Sequence, residues 1–179
     1  MRWMLTRWRY RRHGAELAGR PADEIWHFAY GSNMNQAVFC TRRGMQPLEW
    51  RAGCLAGYRL RFNLDGRPLG RAAPANIAPD TAADPVAEVW GVLYRITRAD
   101  LVHLDSTEGV PNRGRYRHLH AEARDMEGNR LAVVTYMAVG NERDGNPSLR
   151  YITLLRDGAR AHRLPAHYLE FLDSVTPAV

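Results

Sequence analysis

The sequence predicts an α+β fold, a small mixed and mostly antiparallel β-barrel flanked by helices. Three observations point there. The segments read in the order β-α-β-β-α-β-β-α-α. The strands follow one another across short turns, as hairpins and meanders do, rather than alternating with helices as βαβ units do. The chain has 179 residues, 45% hydrophobic and 25% charged, with no internal repeat; that is the size and composition of one domain able to build its own core.

The elements follow from local pattern. Residues 26–30 (WHFAY) are an apolar-aromatic run ended by Gly31, which reads as a strand. Residues 33–43 read as a short helix: Ser32 or Asn33 caps it, Met34 and Val38 share a face, and Gly44 suits the position just past its end. Residues 55–62 alternate, with Tyr58, Leu60 and Phe62 on one face of a strand. Residues 65–71 and 79–85 carry the Gly and Pro of loops. Residues 87–96, rich in Val, Trp and Tyr, form a second strong strand. Thr97 and Asp100 resemble a capping box with Asp in the place of Glu; they open a helix carrying Leu101 and Leu104 and ending near 107–109. Residues 116–123 and 131–139 are strands around a turn at 126–129. Asn146 caps and Pro147 begins a helix marked by Leu149, Ile152 and Leu155 and running to about Ala161. Leu164-Pro165 opens a last helix with Tyr168, Leu169 and Leu172.

Composition removes several chemistries. The net charge is +6, and all 25 basic residues are Arg. Without lysine there is no lysine Schiff base, no lysine general base and no phosphate-binding loop with its lysine. Cys40 and Cys54 cannot build a disulfide framework or a CxxC zinc site; a single bridge stays open, and a reduced, cytoplasmic chain is the simpler reading. No apolar run approaches the ~18 residues of a membrane span, and the basic N-terminus lacks the apolar stretch of a secretory or twin-arginine signal. Residues 1–25 carry half of the net charge, with Trp3, Trp8 and Tyr10 among six arginines. They read as an arginine-rich extension of a domain at 26–179. The extension is either a solvated or packed arm, or a tether to nucleic acid or anionic membrane.

Signatures such as GxGxxG, HExxH and GxSxG are absent. His118 and His120 face one side of a strand without a third ligand beside them, so a surface pair is favoured over a metal site. His27, His103, His162 and His167 are scattered, and Ser174 has no local base. Two features carry chemistry. Tyr30-Gly31-Ser32-Asn33 joins a strand to a helix start, where free N–H groups suit a carboxylate or oxyanion and Gly31 admits close approach. Glu108 closes a helix beside Gly109 and Pro111. The negative end of the helix dipole disfavours its charge there, and burial would raise its pKa further, as a general acid/base near neutral pH requires.

These features fall within four motifs in order. They are FAYGSNM at 28–34, EVWGVLYRIT at 88–97, LDSTEGV at 104–110 with Tyr116 after it, and NPSLRYITLLRDGA at 146–159 followed by LP..Y at 164–168. From about Ile25 to Asp173 the chain resembles the gamma-glutamylcyclotransferases and their AIG2-like relatives. The resemblance implies an antiparallel barrel flanked by helices. It also implies release of 5-oxoproline from a γ-glutamyl compound whose own α-amine attacks its γ-carbonyl, with no cofactor and no metal. Glu108 matches the catalytic glutamate. His27, Phe28, Ala29, Tyr30, Gly31 and Ser32 match the substrate-binding loop, and Tyr151 matches a pocket tyrosine. Asn33, Tyr116 and Tyr136 are weaker candidates for the wall. His27 stands where relatives often carry an aromatic residue. Arg113 and Arg115 are solvated loop arginines or attract an anionic peptide. The implied partner is a small γ-glutamyl molecule rather than a membrane or nucleic acid, and a homodimer stays open. So do two other functions: a cyclotransferase acting on another γ-glutamyl amine or modified metabolite, and a non-catalytic binding or nucleic-acid-associated protein that keeps the fold.

Overall fold

Strand β1 (Glu24–Ala29) explains why the chain reads as apolar from Ile25 onward. Every residue from Ile25 to Tyr30 is buried, so the strand is covered on both faces and shows no alternation. It lies in a barrel. The computed structural model describes residues 23–66, 73–80, 82, 87–108, 110 and 116–178. After β1 come a 3₁₀ turn (Ser32–Met34) and a π-helical segment (Ala37–Arg42), then β2 (Glu49–Ala56), β3 (Tyr58–Arg61), β4 (Asn76–Pro79) and β5 (Glu88–Thr97). Helix α1 (Arg98–Glu108), β6 (Tyr116–Asp125), β7 (Arg130–Ala138), α2 (Leu149–Ala161) and α3 (Ala166–Ser174) follow. Among the described residues, five strands close the barrel in the order β1-β5-β2-β6-β7, and β3 and β4 form a separate ribbon. All pairings are antiparallel except the β1–β7 seam, which is parallel through Trp26↔Val133 and His27↔Val134. The expected α+β class and mixed barrel are what the structure shows.

The core is the barrel interior and the layer beneath the helices. Ile25, Phe28, Val92, Leu93, Val133 and Val134 are each 1% exposed or less, and each such side chain stabilises by about 1.5–3 kcal/mol when removed from water. Closure is tight at Gly91. A Cβ there would stand 2.3 Å from the Ala29 carbonyl oxygen and 2.9 Å from the Phe28 ring.

Several boundaries differ from the sequence reading, each for a local reason. The helix expected at 33–43 is two pieces. Met34 N–H donates to Gly31 O (3.0 Å) and Asn35 N–H to Ser32 O (3.0 Å), which closes a short turn. The Asn35 side chain then accepts from the N–H groups of Ala37 and Val38, and Arg43 N–H reaches back to Val38 O in a wide π-type bond. Gly44, at φ +68°, ends this segment as expected. The strand at 55–62 breaks at Gly57, whose φ of +78° turns the chain. Strand β4 was not anticipated. The cap of α2 is Ser148, whose Oγ accepts from Tyr151 N–H at 3.2 Å, not Asn146, and Pro147 lies before the helix rather than in it. The capping box of α1 is present as read: Thr97 N–H donates to Asp100 and Asp100 N–H to Thr97 Oγ1, both at 3.1 Å.

The barrel begins earlier than residue 26. Glu24 pairs with Thr97 in the β1–β5 ladder, its carboxylate meets Arg95 at 2.6 Å, and Asp23 O accepts from Arg98 N–H. Residues 1–22, Arg113 and Arg115, and most of the two loops at 65–71 and 79–85 lie outside the described residues. Cys40 is half-buried, Cys54 is buried, and both are free thiols. Among the described residues no helix is long and apolar enough to cross a membrane.

Candidate active site

The turn after β1, the C-terminal end of α1 and the first turn of α2 meet around a cavity of about 480 Å³. Five elements supply most of its wall. The end of β1 and the following turn bring His27, Phe28, Ala29, Tyr30, Gly31, Ser32 and Asn33. Helix α1 brings Glu108, strands β6 and β7 bring Tyr116 and Tyr136, and α2 brings Tyr151. The structure thus gathers into one cavity every site residue singled out from sequence.

Glu108 is linked directly to the turn. Asn33 Nδ2 donates to Glu108 Oε1 at 3.1 Å, a bond spanning 75 positions of sequence. A carboxylate can only accept, so the amide must turn its nitrogen this way. Asn33 Oδ1 is left buried with no hydrogen-bond partner. The environment of Glu108 is richer than its helix-end position implied. Arg43 ion-pairs with the same carboxylate at 2.9 Å, with the two side chains 19% and 14% exposed, and it also donates to the Thr107 hydroxyl. The expectation of a carboxylate in a purely unfavourable field is therefore corrected: a guanidinium and an amide face it.

The turn itself also differs from its expected form. It is a three-residue 3₁₀ turn, so no long helix dipole stands behind it. Gly31 has φ −110°, so it needs no left-handed freedom. What it provides is closeness, since a Cβ there would lie 3.2 Å from the Tyr151 hydroxyl. That hydroxyl accepts from Ala75 N–H at 3.1 Å and bonds the Ser32 backbone. Burial pushes its pKa above the ordinary tyrosine value, and the Glu108 charge adds to this. Tyr30 is raised further, again chiefly by burial, and its hydroxyl donates to Tyr136 O at 2.7 Å. Tyr116 donates to Ala75 O at 2.7 Å. Tyr30 and Tyr116 thus donate to main-chain carbonyls and Tyr151 accepts from a main-chain N–H, which braces the wall.

His27 is enclosed between the Phe39 and Tyr136 rings, and Nδ1 donates to Val134 O at 3.1 Å. Burial lowers its pKa to about 3, so the ring is neutral, and Nε2 has no hydrogen-bond partner. His118 and His120 are not the surface pair expected. His118 turns toward α1, with Nε2 2.6 Å from Asp105 Oδ1, and the same oxygen accepts from Tyr136 OH at 2.8 Å. Among the described residues no three His, Cys, Asp or Glu side chains converge as metal ligands would.

Sequence reasoning missed Arg43, and with it Pro74, Ala75, Ser106, Thr107 and Thr135 on the wall. A basic residue beside Gly44 was visible as the end of a helical segment, but its reach to residue 108 is a tertiary contact with no local signature.

Comparison with known proteins follows the same lines. A family profile described as the AIG2-like family matches residues 88–172. The gamma-glutamylcyclotransferase of Homo sapiens is 26% identical over 172 residues, covering 90% of this chain and 84% of its own length. The gamma-glutamyl cyclotransferase gliK of Claviceps purpurea is 32% identical over 141 residues, covering 75% of this chain and 63% of its own. A solved structure of a gamma-glutamyl cyclotransferase superposes with a TM-score of 0.74 at 25% identity, covering 87% of this chain and 90% of that one.

Proposed function

The chain belongs to the AIG2-like gamma-glutamylcyclotransferase family, and from that premise we propose that it cyclises the γ-glutamyl group of a small substrate to 5-oxoproline and releases the attached amine, with Glu108 moving the protons. The observation that carries the reading is the convergence of Glu108 with the 28–34 turn on one cavity, joined by the Asn33–Glu108 bond.

In this reading the substrate's α-ammonium enters among acceptors: the Glu108 carboxylate and the orphaned Asn33 Oδ1. Glu108 takes a proton, and the freed amine attacks the γ-carbonyl carbon. The C–N bond of the five-membered ring forms while the carbonyl electron pair moves to oxygen. The backbone around Gly31, Ser32 and Asn33 faces that oxyanion or the α-carboxylate. When the tetrahedral centre collapses, the bond to the leaving nitrogen breaks and Glu108 returns the proton to it; the ring nitrogen then gives up its own extra proton through the same carboxylate to the released amine, which departs as the ammonium and leaves the neutral lactam. Attack is intramolecular, so the cavity's contribution is to hold the glutamyl chain in its cyclising conformer. Arg43 and Asn33 fix the carboxylate that does this work. The reading requires no added cofactor, and a cytoplasmic location goes with it.

The experiment is incubation of the purified protein with a panel of γ-glutamyl-amino acids, peptides and amines, with 5-oxoproline as the readout. Release from at least one compound supports the reading; none from any would shift the weight to a binding protein that keeps the fold.

A further inference from the structure

Helix α1 buries Leu101 and Leu104 and no residue after them. Its last four residues, which end in Glu108, are therefore held by polar side chains rather than by apolar packing. One tie joins Glu108 to Arg43 and Asn33. A second starts three residues earlier, at Asp105. Its Oδ1 accepts two hydrogen bonds, from His118 Nε2 at 2.6 Å and from the Tyr136 hydroxyl at 2.8 Å. The two donors are direct partners in the β6–β7 ladder, so both side chains stand on one face of the sheet. Two strands thus grip the helix through a single oxygen. The Asp105 and His118 side chains are 19% and 9% exposed, so water competes weakly for either, and bonds to a carboxylate are stronger than neutral ones. Tyr136 is tied at its main chain as well, where its carbonyl accepts from the Tyr30 hydroxyl at 2.7 Å. Tyr136 and Glu108 line the cavity; Asp105 and His118 do not.

We propose that Asp105 and His118 are positioning residues for the cyclisation: with the Tyr136 hydroxyl they form a clamp that fixes the last turn of α1, and with it the Glu108 carboxylate, against the cavity wall. The inference rests on the cyclotransferase reading and deepens it. Residues three apart are neighbours on a helix surface, so a shift of the final turn moves Asp105 and Glu108 together. With the clamp closed, one helix turn carries the proton-transferring carboxylate and is bonded to a residue of the wall that faces it. With the clamp open, Leu104 is the last residue of the helix fixed by burial, and Glu108 loses its register to the attacking and leaving nitrogens. A misplacement of about 1 Å at a reacting group costs up to about 10²-fold in rate. His118 acts through Asp105, and Asp105 acts through Glu108; neither touches the substrate.

The test measures kcat and KM for 5-oxoproline release from the best γ-glutamyl substrate of the panel, together with Tm. The proteins are the full chain and its variants D105L, D105N, H118L, H118Q and D105L/H118L, each assayed well below its own Tm. D105L removes the shared acceptor at similar size, and D105N keeps one acceptor oxygen. H118L removes one donor, and H118Q replaces it. For D105L, kcat should fall by about 10–10²-fold while KM changes by less than about threefold. D105N should lie between D105L and the native chain, and H118Q should recover part of what H118L loses. The double variant should be no slower than D105L, because His118 acts only through Asp105. A merely structural role would lower Tm and leave kcat of the folded protein unchanged. Should D105L not fold, H118L against H118Q makes the same comparison with Asp105 in place. A kcat within about twofold of native in D105L, or in H118L where D105L does not fold, would overturn the clamp while the cyclotransferase reading stands. So would a loss confined to KM, or losses that add in the double variant. No 5-oxoproline from the native chain would overturn the cyclotransferase reading and the clamp with it.

Discussion

Burial holds His27 as a neutral imidazole, with its pKa lowered from 6.5 to about 3. Between those values the unfolded chain binds a proton that the folded chain does not. Stability therefore falls as pH drops from about 6.5, by up to about 1.4 kcal/mol per pH unit for this group. His162, lowered by burial as well, acts in the same direction. Tm should decline from pH 7 to pH 5, above the range where most carboxylates titrate, and His27→Phe should flatten the decline. An equally steep decline in the variant would place the acid sensitivity elsewhere. Gly31 is the second residue whose role is set by its surroundings. With the Tyr151 hydroxyl 3.2 Å from a notional Cβ, Gly31→Val puts two further methyl groups into the cavity wall. KM for the γ-glutamyl substrate should rise by about tenfold or more, a loss of ~1.4 kcal/mol in binding, with the fold kept by circular dichroism. An unchanged KM would reduce the turn to a connector.

Helix α2 positions the site from outside, and Gly158 is the point of contact. A Cβ there would lie 2.6 Å from Met34 C and 2.8 Å from Asn35 N, backbone atoms of the 28–34 turn and its exit. Helix propensity alone makes Gly158→Ala stabilising by about 0.8–1.0 kcal/mol. Packing makes it destabilising by about 1–3 kcal/mol net, because backbone cannot give way as a side chain does. Urea unfolding decides the sign, and a more stable variant would contradict the packing account. The same scale shows what could be read in advance. The Thr97–Asp100 cap was legible because both partners lie within one turn, and β5 because its apolar run is long. β4 was not, because Asn76–Pro79 is held by distant partners. It pairs with β3, and the Asn76 amide bonds Asn63, Ala138 O and Ala138 N–H at 2.9–3.0 Å. The helix at 33–43 failed because Asn35, rather than Ser32 or Asn33, supplies the side-chain cap. Tyr30–Asn33 and Glu108 stood out by their local setting, and the other expected site residues only through the resemblance; the Arg43–Glu108 pair, set by the meeting of two elements, was not legible.

At the scale of the whole molecule, the expectation is that the arginine-rich arm is dispensable for turnover. Among the described residues, none that lines the cavity precedes His27, and the ladder starts at Glu24. A chain beginning at Asp23 should fold and retain most of its turnover. Any salt-sensitive affinity for nucleic acid should go with the six arginines removed. Loss of turnover with the fold preserved would show that the arm reaches the site. The reaction belongs to the assembled barrel: the turn after β1, the end of α1 and the head of α2 come from three separate stretches of sequence and make one cavity only when it closes. The claim most exposed to test is that Glu108 carries the protons of cyclisation. Glu108→Gln keeps the shape and the Asn33 neighbour but cannot exchange a proton. The direct measurement is kcat for 5-oxoproline release by the native chain and by E108Q on the best γ-glutamyl substrate, with ligand affinity measured in parallel. The account predicts a fall of about 10²–10⁴-fold in kcat with affinity largely kept; turnover within a few-fold of the native chain would contradict it.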